Sequence, residues 1–257
     1  MKRKLNAERI EKIPTSIFAT MSKMAVEYKA VNLGQGFPDF DGPRWIMEQA
    51  FKAMQEGRNQ YAPAPGTFSL RRAVKNVQKQ FYDLDWDIDK EITITTGATE
   101  GLYSTLQGLV DHGDEVVLFE PYYDSYNADV LIAGGIPKYV TLHKPDFHFD
   151  REEFLSRITN KTKMIILNTP HNPTGKIFNK EELEFIAETA IENDLLVLSD
   201  EVYEFLTFDG EAHIPIATLP GMRDRTVTVS STGKTFGMTG WKIGYACASE
   251  ELTDALR

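Results

Sequence analysis

The sequence has little of several features that mark particular classes of protein. Its 257 residues include one cysteine, Cys247, so an intrachain disulfide bond is excluded. No apolar run approaches the roughly 20 residues that a membrane-spanning helix needs. The basic start Met-Lys-Arg-Lys is not followed by the apolar stretch of a signal peptide. These shortages favour a reducing cytoplasm and predict no contact with a membrane.

Basic residues are also scarce relative to acidic ones. The chain carries 28 Lys and Arg against 38 Asp and Glu, a net charge of −10. Nucleic-acid binding requires clustered positive charge, so this balance argues against a nucleic-acid partner. The five histidines do not stand at the spacings of metal ligands, so no metal site is predicted. With 42% hydrophobic residues, the chain has the composition of a globular protein with a full core.

What the sequence does contain is an alternation of short β-rich runs and helix-length segments. Several runs, such as Met164–Leu167, are almost wholly apolar, which is typical of strands buried on both faces of a parallel sheet. The seven β-rich runs are Glu91–Thr95, Glu115–Phe119, Pro137–Leu142, Lys163–Asn168, Leu195–Ser199, Thr226–Ser230 and Ile243–Ala248. The helical segments include Thr67–Phe81, Thr99–Asp111, Tyr123–Ala133, Arg151–Ile158 and Lys180–Asn193.

This alternation predicts an α/β doubly wound fold, with a mostly parallel sheet of about seven strands between two layers of helices. Residues 1–45 precede the first strand and are interpreted as an N-terminal arm with a segment of a small domain, and residues 46–257 as the large domain. In such folds, ligands bind outside the carboxyl ends of the strands. The residues that follow the strands are therefore the candidates for a functional site.

The first two strands are each followed by a candidate motif. In Thr95-Thr-Gly-Ala-Thr-Glu100, Gly97 lets the backbone turn and Thr99 can cap the next helix. The free N–H groups of that helix start suit a phosphate, although a plain helix cap is the commoner meaning of such a turn. After the second strand, Tyr123 of Pro121-Tyr-Tyr offers a flat ring to a heteroaromatic ligand. Core packing is the commoner role of such a ring.

The fourth and fifth predicted strands are each followed by a polar candidate residue. Asn172 lies in a loop that two prolines and a glycine stiffen, so its amide can orient a ligand. The simpler interpretation is that this amide bonds its own backbone. Asp200 ends an apolar run, and a carboxylate there is costly to bury without a cation, such as the protonated ring nitrogen of a ligand. The ordinary alternative for Asp200 is a helix cap.

Lys234 follows the sixth run and stands among small residues in Ser231-Thr-Gly-Lys-Thr-Phe-Gly. A desolvated lysine loses part of its proton affinity and becomes a nucleophilic amine that can form a Schiff base. A solvated loop lysine is the ordinary alternative. The ordered occurrence of a phosphate-type turn, an aromatic ring, a fixed amide, a carboxylate and this lysine is more specific than any one of them.

Taken in this order, the motifs resemble those of the class I/II aminotransferases, fold-type I enzymes that use pyridoxal 5′-phosphate. The motifs are Gly97-Ala-Thr, Pro121-Tyr-Tyr, Asn172-Pro-Thr-Gly, Asp200-Glu-Val-Tyr203 and Ser231-Thr-Gly-Lys-Thr-Phe-Gly-Met-Thr-Gly-Trp-Lys-Ile-Gly. The stretch Val31-Asn-Leu-Gly-Gln-Gly-Phe-Pro-Asp-Phe most resembles the subgroup of kynurenine, glutamine and methionine aminotransferases. The resemblance implies that an amino group moves from an L-amino acid to a 2-oxo acid by a ping-pong mechanism.

The resemblance also implies a role for each motif. Lys234 would form the internal aldimine with the cofactor and then carry the proton during the reaction, and Asp200 would pair with the pyridinium nitrogen. Asn172 and Tyr203 would hydrogen-bond to the phenolic oxygen of the cofactor, and Tyr123 would stack on its ring. The implied ligands of the phosphate are Gly97, Ala98, Thr99, Ser231 and Lys242.

Further positions take their meaning from the same resemblance. Tyr61 would reach the phosphate held by a neighbouring subunit, which implies a homodimer with shared sites. Gly36 would line the substrate pocket together with Asn172. Many relatives carry Arg at the position of Lys242, so a point charge replaces a bidentate fork in this sequence.

The resemblance leaves the substrate and the activity of this chain open. Family members usually continue into a small domain that bears an arginine for the substrate carboxylate, and this domain is expected to be missing from a chain that ends at Arg257. Tyr122, Tyr126 and the stretch Phe37–Phe40 hint at an aromatic or sulfur-containing substrate, but core packing explains them equally well. Two alternatives to a transferase are a carbon–sulfur β-lyase with the same cofactor and an inactive protein that binds the cofactor.

Overall fold

The computed structural model describes residues 5–11, 13, 16–34, 36, 38 and 40–257. Within these ranges the chain forms ten α-helices and eight β-strands. The helices are α1 (Glu8–Glu11), α2 (Ile17–Glu27), α3 (Arg44–Gln55), α4 (Phe68–Tyr82), α5 (Gly97–Leu109), α6 (Asp124–Ala133), α7 (Arg151–Ser156), α8 (Lys180–Glu192), α9 (Thr232–Thr235) and α10 (Glu250–Leu256). The strands are β1 (Ile92–Thr96), β2 (Glu115–Glu120), β3 (Ile136–His143), β4 (His148–Phe149), β5 (Thr162–Asn168), β6 (Leu196–Asp200), β7 (Thr226–Ser231) and β8 (Ile243–Cys247). No helix in the described ranges is long and apolar enough to cross a membrane.

The strands form one sheet in the order β1-β8-β7-β6-β5-β2-β3-β4. The pairs that join β7, β6, β5, β2 and β3 are parallel, whereas β8 runs antiparallel to both of its neighbours. The prediction of a mostly parallel sheet is therefore confirmed. All seven predicted strands are present, and the additional strand is the two-residue β4 at one edge. Two residues are too few to show the alternation by which a strand is predicted.

The order of the parallel strands places a binding crevice at the centre of the sheet. From β2 the chain moves outward to β3, and it then returns to the other side of β2 to build β5, β6 and β7. A reversal of this kind opens a crevice at the carboxyl ends of the strands on either side of it. The register pairs Asn168 of β5 with Asp200 of β6 at this end of the sheet. Two polar residues that are distant in sequence are thereby adjacent.

The sheet is covered by helices on both faces. In β2, Val117 and Phe119 point into one core cluster, and Val116 and Leu118 point into another. The first cluster includes side chains of α8, and the second includes side chains of α5, α6 and α10. Because both faces of β2 are buried, the run reads as continuously apolar, as a parallel sheet requires. The predicted three-layer arrangement is confirmed.

The start of α5 differs from the prediction. Thr99 was expected to cap this helix, but the helix begins at Gly97 and Thr96 holds the cap position. The physical reason is the backbone of Gly97, whose φ of +72° turns the chain from β1 into the helix without a linker. The carboxylate of Glu100 accepts a hydrogen bond from the backbone N–H of Thr96. Thr99 therefore lies inside the first turn.

The segment before α4 carries helices α2 and α3 at the surface of the described structure. Neither α2 nor α3 contains a buried residue. The hydroxyl of Ser16 donates a hydrogen bond to the carboxylate of Asp124, and the ring of Phe18 lies 6.2 Å from that of Tyr123. These contacts tie the segment to the start of α6. The predicted boundary at residues 45 and 46 falls within α3, and the division into an arm and a large domain remains a prediction.

Candidate active site

A cavity of about 650 Å³ opens at the carboxyl ends of the central strands. Its size lies within the range of pockets that bind small molecules, roughly 300–1,000 Å³. The start of α5, the end of β6 and the short helix α9 each contribute to the wall. The predicted site residues that line it are Gly36, Gly97, Ala98, Thr99, Tyr123, Asn172, Asp200, Tyr203, Ser231, Lys234 and Lys242. The fold thus brings together all but one of the predicted residues.

Lys234 is presented to the cavity by α9, directly after β7. Its Nζ donates a hydrogen bond to the carbonyl oxygen of Gly36 at 2.6 Å and lies 5.4 Å from the ring centroid of Tyr203. Burial, with a smaller contribution from the charge of Lys242, lowers the pKa of the Lys234 amine. A lower pKa increases the fraction of neutral, nucleophilic amine at a given pH.

Asp200 stands at the end of β6 and is 4% exposed. Its Oδ2 accepts a hydrogen bond from the hydroxyl of Tyr126 at 2.7 Å, and its Oδ1 accepts one from the N–H of Val202 at 3.2 Å. Burial raises the pKa of this carboxyl to about 6, although the two hydrogen bonds act in the opposite direction. Among the described residues, no Lys, Arg or His forms an ion pair with it. The carboxylate therefore lacks an ion-pair partner among the described residues and is available to the cation of a ligand.

Asn168 is a site residue that the sequence analysis missed. It is 3% exposed, its Nδ2 donates to the carbonyl oxygen of Asp200 at 2.9 Å, and its Oδ1 accepts from the N–H of Asn172 at 2.7 Å. The buried amide of Asn168 thus links the end of β6 to the loop that follows β5. The available signal was a polar residue at the end of the otherwise apolar run Met164–Leu167.

Tyr126 was not predicted as a hydrogen-bond partner of Asp200, because in the sequence it was considered only as an indication of an aromatic or sulfur-containing substrate. Its ring is 3% exposed and lies edge-on to that of Tyr123, with centroids 5.6 Å apart. Tyr122 does not line the cavity, since its ring stacks on Tyr139 at 5.6 Å. Of the stretch Phe37–Phe40, positions 37 and 39 lie outside the described residues.

The start of α5 forms the anion-binding end of the cavity. A helix start offers free backbone N–H groups and a partial positive charge, and Lys242 adds a full charge beside it. A Cβ on Gly244 would lie 2.4 Å from the carbonyl carbon of Gly97, so β8 and this turn are in direct backbone contact. The hydroxyl of Ser231 donates to the carbonyl oxygen of Ile243 and accepts from the N–H of Gly233.

Two buried carboxylates flank the loop that presents Tyr203. Glu204 accepts hydrogen bonds from Ser230 at 2.6 Å, Tyr82 at 2.7 Å and Tyr245 at 3.0 Å. Burial raises the pKa of Glu204, and burial raises the pKa of Tyr203 to about 12, so this phenol stays protonated and can donate. These bonds anchor the Tyr203 loop to α4, β7 and β8.

On the other side of that loop, Glu201 is fully buried. Its carboxylate accepts from the hydroxyl of Ser199 at 2.8 Å and contacts Nε2 of His213 at 2.9 Å. The sequence analysis did not identify either buried glutamate as part of the site. The partners of Glu204 come from segments 26 to 122 residues away, so the sequence offered no local signal for that cluster.

Tyr61 is the one predicted site residue outside the cavity. Its side chain is fully exposed. Its proposed role concerns the site of a second subunit, and that role remains a prediction.

The chain is similar to known aminotransferases over nearly its whole length. Residues 28–257 match the family model Aminotransferase class I and II. The chain is 41% identical over 249 residues to methionine aminotransferase of Escherichia coli (strain K12), covering 97% of the chain and 64% of that protein. It is 43% identical over 263 residues to kynurenine–oxoglutarate transaminase 3 of Homo sapiens, covering 98% of the chain and 58% of that protein. The chain thus spans about three fifths of the length of these relatives.

Solved structures show the same likeness. The structure of N-succinyldiaminopimelate aminotransferase from Mycobacterium tuberculosis superimposes with a TM-score of 0.94 at 43% identity. The match covers 98% of this chain and 66% of that one.

Proposed function

Because this chain belongs to the class I and II aminotransferases, we propose that its cavity holds pyridoxal 5′-phosphate and serves the transfer of an amino group from an amino acid to a 2-oxo acid. Proteins of this family depend on that cofactor. The observation that carries the proposal is the convergence of three different groups on one cavity. They are a half-buried lysine with a lowered pKa, a buried carboxylate and a helix start.

Each reactive group of the cofactor has a complementary group in the cavity. Its phosphate is an anion, and the start of α5 with Lys242 is the cationic end of the cavity. Its ring nitrogen is a base, and Asp200 is a buried acid without an ion-pair partner among the described residues. Its aldehyde reacts with amines, and Lys234 is the amine with a lowered pKa. The residues present therefore fit the cofactor.

When bound, the cofactor acts as an electron sink that makes the α-proton of the amino acid acidic. Lys234 Nζ is the group that would take up this proton and return it, because burial keeps part of the amine neutral. The carbonyl oxygen of Gly36 holds the amine at this position. The Asp200 carboxylate would hold a proton on the ring nitrogen, and the Tyr203 hydroxyl would donate a hydrogen bond to the phenolic oxygen.

The substrate class follows from the family, and the individual substrate is a matter for assay. The basic residues in the described cavity wall are Lys234 and Lys242, with no arginine among them. The relatives are named for methionine, kynurenine and N-succinyldiaminopimelate. We propose these three as the first amino donors to test, with 2-oxoglutarate as acceptor.

We further propose that the protein acts as a homodimer in the cytoplasm. The fully exposed ring of Tyr61 supports the dimer, since a ring left in water by one chain is available to a second copy. The buried free thiol of Cys247 supports a reducing compartment. Sedimentation of the purified protein with and without Tyr61→Ala tests the dimer.

The first experiment on the site is to trap the lysine. The purified protein is mixed with pyridoxal 5′-phosphate, reduced with borohydride and digested, and the labelled peptide is mapped. We expect one label on Lys234, its loss in Lys234→Ala and its weakening in Asp200→Ala. Lys163→Ala is the matched control, because Lys163 is an exposed lysine at the opposite end of the same sheet. Label scattered over surface lysines would contradict the proposed cofactor site.

The second experiment tests the chemistry. An amino donor is added to the cofactor-loaded protein without any 2-oxo acid, and the products are identified. Conversion of the cofactor to pyridoxamine phosphate supports the transferase. Release of pyruvate and ammonia from a cysteine conjugate supports the β-lyase instead, and a lack of both products with every donor contradicts the proposed activity.

A further inference from the structure

Asp200 receives hydrogen bonds on both carboxylate oxygens, and both donors are neutral. Oδ2 accepts from the Tyr126 hydroxyl at 2.7 Å, and Oδ1 accepts from the backbone N–H of Val202 at 3.2 Å. Tyr126 is the only side chain among the described residues that hydrogen-bonds to this carboxylate. A lysine or arginine in its place would cancel the charge of Asp200. A neutral donor stabilises the charge and leaves it available to a ligand.

We infer that Tyr126 is a positioning residue that keeps Asp200 ionised and directed into the cavity, so that its negative charge is reserved for the ring nitrogen of the cofactor. The inference rests on the proposed function. It adds to it a residue that lies on a different element from Asp200, namely helix α6.

The position of Tyr126 is well determined by its packing. Its ring belongs to the core cluster that includes Leu102, Leu118 and Val130. It also lies edge-on to the ring of Tyr123, with centroids 5.6 Å apart. A ring held on this many sides leaves its hydroxyl little freedom to move away from Asp200 Oδ2. Burial, followed by the charge of Asp200, raises the pKa of Tyr126 well above its ordinary value, so the hydroxyl remains a donor.

The other groups that face Asp200 do not replace this bond. Glu201 is a neighbouring acid, and its charge raises the pKa of Asp200. Tyr123 and Tyr203 also lie in the cavity wall, and burial raises the pKa of both phenols. Lys234 lines the same cavity, and its Nζ contacts Gly36. Removing the Tyr126 hydroxyl therefore leaves one donor, the Val202 N–H, against the burial of Asp200 and the charge of Glu201.

The test is the pH dependence of cofactor binding in Tyr126→Phe, a variant that keeps the ring and removes one oxygen. Loss of the donor raises the pKa of Asp200 further, so the carboxylate is neutralised at a higher pH. Affinity for pyridoxal 5′-phosphate is measured by fluorescence titration between about pH 5 and pH 8. We expect the acid-side loss of affinity to move upward by about one pH unit. A curve that superimposes on that of the unmodified protein would overturn the inference.

Two controls isolate the bond. Tyr139→Phe removes a hydroxyl that donates to Asn127 at 2.8 Å rather than to Asp200, and it should leave the curve unchanged. In an Asp200→Asn background, Tyr126→Phe should no longer shift the curve, because a double-mutant cycle reports only the interaction between the two residues. An equal shift in either control would assign the effect to general packing and overturn the inference.

A measurement without cofactor separates this inference from the proposed function. In the cofactor-free protein labelled with ¹³C-aspartate, the carboxyl signal of Asp200 is assigned by its loss in Asp200→Asn, and its midpoint should rise in Tyr126→Phe. If Tyr126→Phe fails to fold, 3-fluorotyrosine at position 126, a stronger donor, should lower the midpoint. An unmoved midpoint overturns the inference. A moved midpoint with no cofactor on Lys234 would support the Tyr126 bond and contradict the proposed function.

Discussion

Replacement of Asp200 by asparagine should stabilise the cofactor-free protein at neutral pH while it weakens the proposed cofactor site. Burial raises the pKa of the Asp200 carboxyl from an ordinary value of 3.8 to about 6. At 1.36 kcal/mol for each pKa unit, the ionised side chain lowers the free energy of unfolding by about 3 kcal/mol. Asparagine keeps one acceptor oxygen where the carboxylate has two, so one of the hydrogen bonds from Tyr126 and Val202 is lost, at a cost of about 1–2 kcal/mol. The net gain is about 1–2 kcal/mol.

The sign of this effect depends on pH. Because the pKa of Asp200 is higher in the folded chain than in the unfolded one, the folded state binds more protons between about pH 4 and pH 6. The unmodified protein therefore loses stability as the pH rises through this window, and the asparagine variant does not. Below about pH 4 only the unmade hydrogen bond remains, so the variant is the less stable of the two.

Urea unfolding of the cofactor-free protein at about pH 4 and about pH 8 measures the difference. Asp209→Asn is the control, since it makes the same chemical change at an exposed position away from the cavity. The reasoning is refuted if Asp200→Asn changes the stability by the same amount at both values, or if it destabilises the protein at the higher one. Addition of pyridoxal 5′-phosphate should reverse the ranking, because the unmodified protein binds the ligand more tightly and gains more stability from it than the variant does.

Three further predictions concern the cavity and its support. Gly97 and Gly113 have φ of +72° and +96°, so alanine at either position should lower the free energy of unfolding by about 1–2 kcal/mol, as measured by thermal unfolding. Only Gly97→Ala should weaken cofactor binding in the fluorescence titration, because only Gly97 lines the cavity. Equal weakening by both variants would contradict the anion-binding role of the α5 start. Lys242→Ala should raise the pKa of the Lys234 amine, because it removes a like charge. Labelling of Lys234 by the cofactor and borohydride should therefore begin at a higher pH in this variant. Lys242→Arg keeps the charge and should leave the pH of onset unchanged. Tyr82→Phe removes one of the three hydroxyl groups that donate hydrogen bonds to Glu204. It should lower the free energy of unfolding, measured in urea, by about 1–2 kcal/mol. An unchanged value would show that the other two donors suffice.

The sheet could be predicted from the sequence because its strands carry a strong local signal. The inner residues of β2, Val116–Phe119, and of β5, Met164–Leu167, are wholly apolar and buried on both faces, so both the existence and the ends of these strands were predictable within one residue. β4 has only two residues and pairs with one neighbour, so it carries no such signal. The predicted cap of α5 was wrong because the left-handed backbone of Gly97 moves the start of the helix.

The site was predictable where its residues follow strands, and it was not where they act through distant partners. Asp200 ends β6, and Lys234 lies in α9 directly after β7, so the parallel strands bring both to the same end of the sheet. Tyr126 lies 74 residues from Asp200, and Tyr82 lies 122 residues from Glu204. No periodicity encodes a contact between two such positions, because it arises only when the elements pack.

The pairing of β1 carries a consequence for the order in which the protein can be built. β1 lies at the edge of the sheet, and its neighbour is β8, which stands near the other end of the chain and aligns Cys247 with Ile92. During synthesis, the N-terminal strand leaves the ribosome long before its partner exists. The parallel centre of the sheet can associate while β1 still has unpaired backbone groups, and the ladder at this edge closes only after β8 has been translated.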